Sequence, residues 1–178
     1  MIRGERVVLR PVEDDDIPHI HRWMNLPEVW RNMDYERPFS VEDVREDVEQ
    51  SRANGVPFTI EVEGRPIGRI GLNQFRRRDR IAAAYLYVGD QAAGGHGYAF
   101  DALDTLLAYA FERFDLWQVE LWTLADNAKA IHIYAKVGFV QEATLRDRSW
   151  KEGRWVDRMV MSINRDEFEK ARSERNGS

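Results

Sequence analysis

The sequence predicts a mixed α/β domain, and three observations carry that prediction. Apolar runs of strand length recur along the chain. Amphipathic stretches of helical period stand between several of them. A glycine-rich turn joins a mid-chain strand to the clearest of those helices. With 178 residues the chain is the size of one domain. We read residues 1–168 as that domain and 169–178 as a polar tail expected to fray.

Composition narrows the function. The chain is 43% hydrophobic and 11% aromatic, too rich in core-forming side chains for disorder. It has no cysteine, which excludes disulfides, cysteine zinc sites and thiol nucleophiles. A net charge of −5 argues against DNA and anionic membranes as partners. No uncharged apolar run approaches membrane-spanning length, and the opening MIRGERVVLRP lacks the apolar core of a leader, so a cytoplasmic location is expected. The four histidines form no cluster at metal-ligand spacing, so no metal is expected.

The elements follow in order. Val7 to Leu9, closed by Arg10-Pro11, reads as a first strand. Asp14 to Asp16 place negative charge at a helix start, and Ile17, Ile20, Trp23 and Met24 keep helical spacing up to Pro27. Ser40 with Asp43 suggests a capping box for a second helix whose inner face is Val41, Val44 and Val48. Phe58, Ile60 and Val62 alternate with polar residues, and Gly64-Arg65-Pro66 turns the chain into a strand over Ile67 to Leu72. Arg76, Arg77, Arg78 and Arg80 form a basic loop before the apolar run Ile81 to Val88. That loop reads either as a solvated hairpin tip or as a cationic screen favouring an acceptor with anionic parts.

Gly94-Gly95-His96-Gly97-Tyr98-Ala99 then enters a helix whose apolar face runs from Ala99 to Phe114. Glycines at a helix N-terminus let backbone N–H groups approach an anion, and the helix dipole favours a phosphate there. The turn lies mid-chain and lacks both the dinucleotide-fold spacing and a Gly-Lys-Ser/Thr sequence. Trp117, Val119, Leu121 and Thr123 alternate as a strand, Asn127 reads as an N-cap and Gly138 as the end of the helix it starts.

Taken together, G-x-G-Y-A entering a helix, a strand, and N-x-x-A-x-x-x-Y-x-K-x-G-F resemble the acyl-CoA-binding core of the GNAT N-acetyltransferases. Leu9-Arg10-Pro11, Trp23 to Val29, Leu145-Arg146-Asp147 and Gly153 to Asp157 resemble the RimJ/RimL-like branch and its spermidine-acetylating relatives. The resemblance runs from about Val7 to Ile163. It implies the GNAT fold: a twisted mixed sheet, splayed at the acetyl-CoA site, with helices on both faces. It also implies that backbone of Leu86, Tyr87 and Val88 pairs with the pantetheine arm, and that Gly94, Gly95, His96, Gly97, Tyr98 and Ala99 cradle the pyrophosphate. Asn127, Ala130 and Lys136 would complete the cofactor side, and Tyr134 would both touch the cofactor and protonate the leaving thiolate. A cysteine-free chain cannot form a cysteinyl acyl-enzyme, so direct transfer in a ternary complex is expected, onto the primary amine of a protein N-terminus or a small molecule.

Three departures from the family pattern bear on mechanism. Gly94 stands where relatives usually carry Gln or Arg. The strand Ile81 to Tyr85 has no acid, and Ala83 lies about where many relatives place a glutamate. Of the paired glutamates that spermidine enzymes carry, only Glu36 remains, beside Arg37. The base is therefore sought at Glu36, with Asp34, His19, His21 and water as alternatives. Trp30 and Trp155 are candidates to line the acceptor pocket. A polyamine, aminoglycoside or amino-sugar acetyltransferase and a non-catalytic CoA-binding module stay open as rivals, and a homodimer is compatible with the resemblance.

Overall fold

The structure is a computed structural model and describes residues 1–33 and 35–177. One eight-stranded sheet runs in the order β1-β2-β3-β4-β5-β6-β8-β7. Its strands are β1 (Ile2–Arg3), β2 (Val8–Pro11), β3 (Val56–Val62), β4 (Arg65–Arg76), β5 (Ile81–Val88), β6 (Gln118–Leu124), β7 (Val140–Lys151) and β8 (Arg154–Asn164). Neighbours are antiparallel except β5 and β6, the one parallel pair among the described residues.

Helices cover the sheet on both faces because its middle strands are apolar on both sides. Helices α4 (Tyr98–Arg113), α5 (Ala128–Val137) and α6 (Arg165–Asn176) pack on one face, where Leu103, Leu106 and Leu107 bury against Ile70, Ala82, Ala84, Val119 and Leu121. Helices α1 (Ile17–Met24), α2 (Pro27–Asn32) and α3 (Val41–Asn54) belong to the other face, where Trp23, Met24, Val44 and Val48 meet Tyr87. Alternation along β5 thus splits Ala82 and Ala84 from Ala83 and Tyr87.

Most elements lie where the sequence puts them. The Ser40/Asp43 capping box forms, with Asp43 N–H donating to Ser40 Oγ at 3.1 Å and Ser40 N–H to Asp43 Oδ2 at 2.7 Å. Val41, on that first turn, is 46% exposed and does not share the buried face of Val44 and Val48. Helix α2 is a helix the periodicity does not reveal, since six residues starting on Pro27 are too few to show a stripe.

Residues 169–176 correct the expected frayed tail, for they are helical and continue the domain. Asn164 and Glu167 form a capping box at the start of α6, and Phe168 buries its ring against Phe111. Arg175 then ties the last turn to the Val137 carbonyl and to Asp104. A polar segment is held here by contacts distant in sequence.

Candidate active site

The site begins with a fork in the sheet. β5 pairs with β6 only through Ile81↔Gln118, Ala82↔Val119 and Ala83↔Glu120. Beyond that, β5 stays bonded to β4 as far as Val88↔Gly68, and β6 to β8 as far as Leu124↔Arg158. The strands therefore diverge, and each presents an inner edge of backbone N–H and C=O groups with no strand opposite. Such an edge inside a sheet invites an extended ligand to add as a strand. Leu86, Tyr87 and Val88 lie on it.

The glycine-rich turn closes the open end. After a short 3-10 turn at Gln91–Ala93, Gly94 is extended at φ −66°. Gly95 and Gly97 take φ +82° and +79°, the left-handed region that favours glycine. A Cβ at Gly95 would meet no protein atom within 4 Å, so backbone conformation alone demands that glycine. The first bond of α4 runs from Asp101 N–H to the Gly97 carbonyl at 3.0 Å, and among the described residues no side chain caps its start. The N–H groups of Tyr98, Ala99 and Phe100 are left free for an anion. His96 and Tyr98 stack at 5.5 Å, stiffening the turn.

A cation reaches this turn from far away in sequence. Asp101 is buried, and its carboxylate accepts the backbone N–H groups of Glu5 (3.1 Å), Arg6 (2.7 Å) and Val7 (2.9 Å). Gly4 permits that docking: a Cβ there would lie 2.5 Å from Thr105 Oγ1 and 2.6 Å from Asp101 Oδ2. Arg6 then donates to the His96 carbonyl at 2.9 Å, and among the described residues it has no carboxylate partner. Arg6 and Gly97 share a groove of about 1340 Å³ with Phe100 and Lys136, whose ammonium lies 5.1 Å from the Phe100 ring. Sequence reading missed Arg6, for nothing local links a residue in the first turn of chain to one 90 positions later.

Helix α5 supplies the other wall. Asn127 caps it, its Oδ1 accepting Ala130 N–H at 3.2 Å, which leaves the amide donors available. Ala130 is half-buried against the core, and Tyr134 is buried beside Phe139 with ring centroids 6.0 Å apart. Burial pushes the Tyr134 phenol up to about 12, and among the described residues nothing hydrogen-bonds its hydroxyl. It is a protonated donor at neutral pH.

On the side bearing α1 to α3 an apolar core is rimmed by ion pairs. Helix α2 straps from one side of the fork to the other: the Glu28 carboxylate accepts from Gln91 Nε2 at 2.8 Å, beside the glycine turn. Arg31 reaches Asp126 at 2.9 Å and Glu152 at 3.1 Å, beside the Asn127 cap. Arg154 adds a second contact to Asp126 at 2.7 Å. Glu36 is exposed and engages no partner among the described residues, whereas its neighbour Arg37 pairs with Asp43 at 2.6 Å. His19 leans on Trp23 at 5.8 Å, and Asp34 lies outside the described residues. In the β4–β5 hairpin Arg76 pairs with Glu120 at 2.8 Å and Arg80 with Asp115 at 3.1 Å, so two of the four arginines are already matched. Trp30 is 39% exposed and Trp155 56%, the latter edge-on to Trp150 at the far hairpin.

This frame fits a phosphate-bearing, amide-containing thioester: the anion cradle, the free strand edge and the buried phenol are all present. The model of the acetyltransferase (GNAT) domain matches residues 6–140. The chain belongs to the GNAT acetyltransferase family. It is thereby an acetyl-CoA-dependent N-acetyltransferase. Spermidine N(1)-acetyltransferase of Escherichia coli K12 is 27% identical over 166 residues, covering 92% of this chain and 88% of that protein. The Vibrio cholerae spermidine N-acetyltransferase, solved with CoA and spermine, superposes with a TM-score of 0.85 at 24% identity, over 93% of this chain and 99% of that one. RimL, a ribosomal α-N-protein acetyltransferase solved with coenzyme A, gives a TM-score of 0.82 at 17% identity, over 92% and 97% of the two chains. These two superpositions show that this acetyltransferase shares their fold.

Proposed function

We propose that this acetyltransferase carries an acetyl group from acetyl-CoA directly to a single primary amine, of a protein N-terminus or a small molecule, in a ternary complex. The observation that carries the reading is the fork: β5 and β6 part after Ala83 and Glu120, between a glycine turn and a buried tyrosine. In this reading Leu86, Tyr87 and Val88 hold the pantetheine arm by strand addition. The turn Gly94 to Ala99 takes the pyrophosphate on backbone N–H groups, and Asn127, Ala130 and Lys136 shape the opposite wall.

Chemically, acyl transfer needs a neutral amine, a donor for the developing oxyanion and a proton for the departing sulfur. Tyr134 gives that proton, since its phenol is held protonated by burial. A free N–H on the inner edge of β5 would serve as the donor to the carbonyl oxygen. Arg31, Arg154 and Arg37 neutralise Asp126, Glu152 and Asp43, so these carboxylates add little net negative charge to draw a polycation. That supports a monoamine acceptor. The polyamine reading is favoured by the likeness to enzymes named for spermidine.

An acetyl-CoA consumption screen over N-terminal peptides, polyamines, aminoglycosides and nucleotide amino sugars tests the proposal. Turnover confined to spermidine and spermine would replace it with the polyamine reading. CoA binding without turnover on any amine would reduce the chain to a binding module.

A further inference from the structure

Around the point where the sheet forks, β5 offers Ala82, Ala83 and Ala84 and no acid, yet an acid stands next to it in space. Ala83 pairs in register with Glu120 of β6, and this is the last pair before the strands part. Neighbouring strands lie about 4.8 Å apart, so Glu120 sits at the vertex of the fork. Its flanking residues Val119 and Leu121 are buried on the α4 side. Alternation therefore turns Glu120 to the opposite face, the one bearing α1 to α3. Tyr134 is buried on the α4 side with Val119 and Leu121. The acid and the tyrosine thus flank the vertex from opposite faces of the sheet.

We infer that Glu120 is the carboxylate that receives the acceptor amine, a conclusion that rests on the N-acetyltransferase reading above. The glycine turn holds the pyrophosphate end at the open mouth, so an arm laid along the free edge of β5 ends near the vertex. Glu120 is anchored there on one side only: its Oε2 accepts from Arg76 at 2.8 Å, while its side chain keeps 21% of its surface open. A carboxylate has about four acceptor positions, so one guanidinium contact leaves room for an ammonium. Glu120 takes the ammonium by a charge-assisted hydrogen bond and passes one proton to solvent. The nitrogen lone pair then forms the C–N bond while the C–S bond breaks. Tyr134 gives its proton to the sulfur and is made good by the second proton leaving nitrogen. One proton is released per turnover. Sequence spacing could not show this, because Ala83 and Glu120 are brought together only by the parallel crossover through α4.

The test compares Glu120→Gln, Glu120→Asp and Arg76→Ala on the amine that the wild type acetylates best, with CoA affinity measured separately by calorimetry. Glu120→Gln should lower kcat/KM for the amine about 100-fold and leave the Kd for CoA unchanged. Glu120→Asp should recover part of that loss. Arg76→Ala frees the carboxylate and should keep full kcat/KM or raise it. A Glu120→Gln enzyme within about twofold of wild type overturns the assignment; so does an equal loss in Arg76→Ala, which would mean that the ion pair is merely structural. If the wild type binds CoA but acetylates no amine, the function reading falls and this assignment with it. Transfer that survives Glu120→Gln removes the assignment alone.

Discussion

The two sides of the fork, proposed above as the cofactor wall and the acceptor wall, are made of different materials. On the proposed cofactor side the main groups are backbone, a glycine turn with two left-handed residues and an unpaired strand edge, joined by two side chains fixed in place, the Asn127 cap and the buried Tyr134. On the acceptor side they are long side chains in exposed or half-exposed ion pairs, with Arg31, Arg154 and Arg37 each holding a carboxylate. Backbone geometry is costly to change and serves one ligand. Exposed pairs are screened by solvent and contribute little, so they can be exchanged without unfolding the domain. A fixed donor site beside a replaceable acceptor site is what a family with one cofactor and many amines requires.

The comparison predicts large effects on the first wall and small ones on the second. Gly97→Val is expected to be the most damaging, because a β-branched residue at φ +79° is strained and its side chain would enter the anion cradle. CoA binding should fall below detection by calorimetry, with strain of about 1–2 kcal/mol lowering Tm by several degrees. Tyr134→Phe follows, with kcat down roughly 10²–10⁴-fold and CoA affinity intact. The same phenol fixes a pH dependence: it stays protonated until about pH 12, so the rate should rise with pH as the amine deprotonates, with no alkaline fall from Tyr134 below that range. A fall near neutral pH would contradict its role as proton donor.

Arg6 should come next. Arg6→Ala removes a cationic side chain hydrogen-bonded into the turn and should weaken CoA about tenfold, with a shallower salt dependence. Affinity unchanged from wild type would leave the cradle as backbone alone. The smallest effect is expected at the strap, where Arg31→Ala breaks two exposed pairs at once. A two- to fivefold rise in the acceptor KM is anticipated, matching about 0.5–1 kcal/mol, with CoA affinity untouched. A larger change in the Kd for CoA than in the acceptor KM would erase the distinction between the walls.

Legibility in the sequence divides along the same line. The turn, the Asn127 cap and Tyr134 are legible because glycine conformation, capping and helical spacing are local, and each occupies a few adjacent residues. The fork is implied by the family resemblance but not by periodicity, since β5 is an apolar run, β6 alternates, and nothing in either records where pairing stops. Arg6 and Glu120 are hidden for a related reason: the first is delivered by Asp101 and the second by a crossover, both contacts over long stretches of chain. Residues 169–176 of helix α6 read as a polar tail because the side chains that hold them, Arg172 and Arg175, are charged residues in a charged segment and their partners lie far off in sequence. Glu36 looked suitable by position and is exposed beside an arginine that serves Asp43.

In the proposed reading the inner edge of β5 and the glycine turn receive acetyl-CoA. Hydrogen exchange measured with and without CoA reads those amides directly. Residues 84–88 and 94–99 should gain protection on binding, in the wild type and in Tyr134→Phe alike, while the β4–β5 hairpin at 77–80 does not change. Saturating CoA that leaves residues 84–88 and 94–99 exchanging as they do in the free protein would contradict the account.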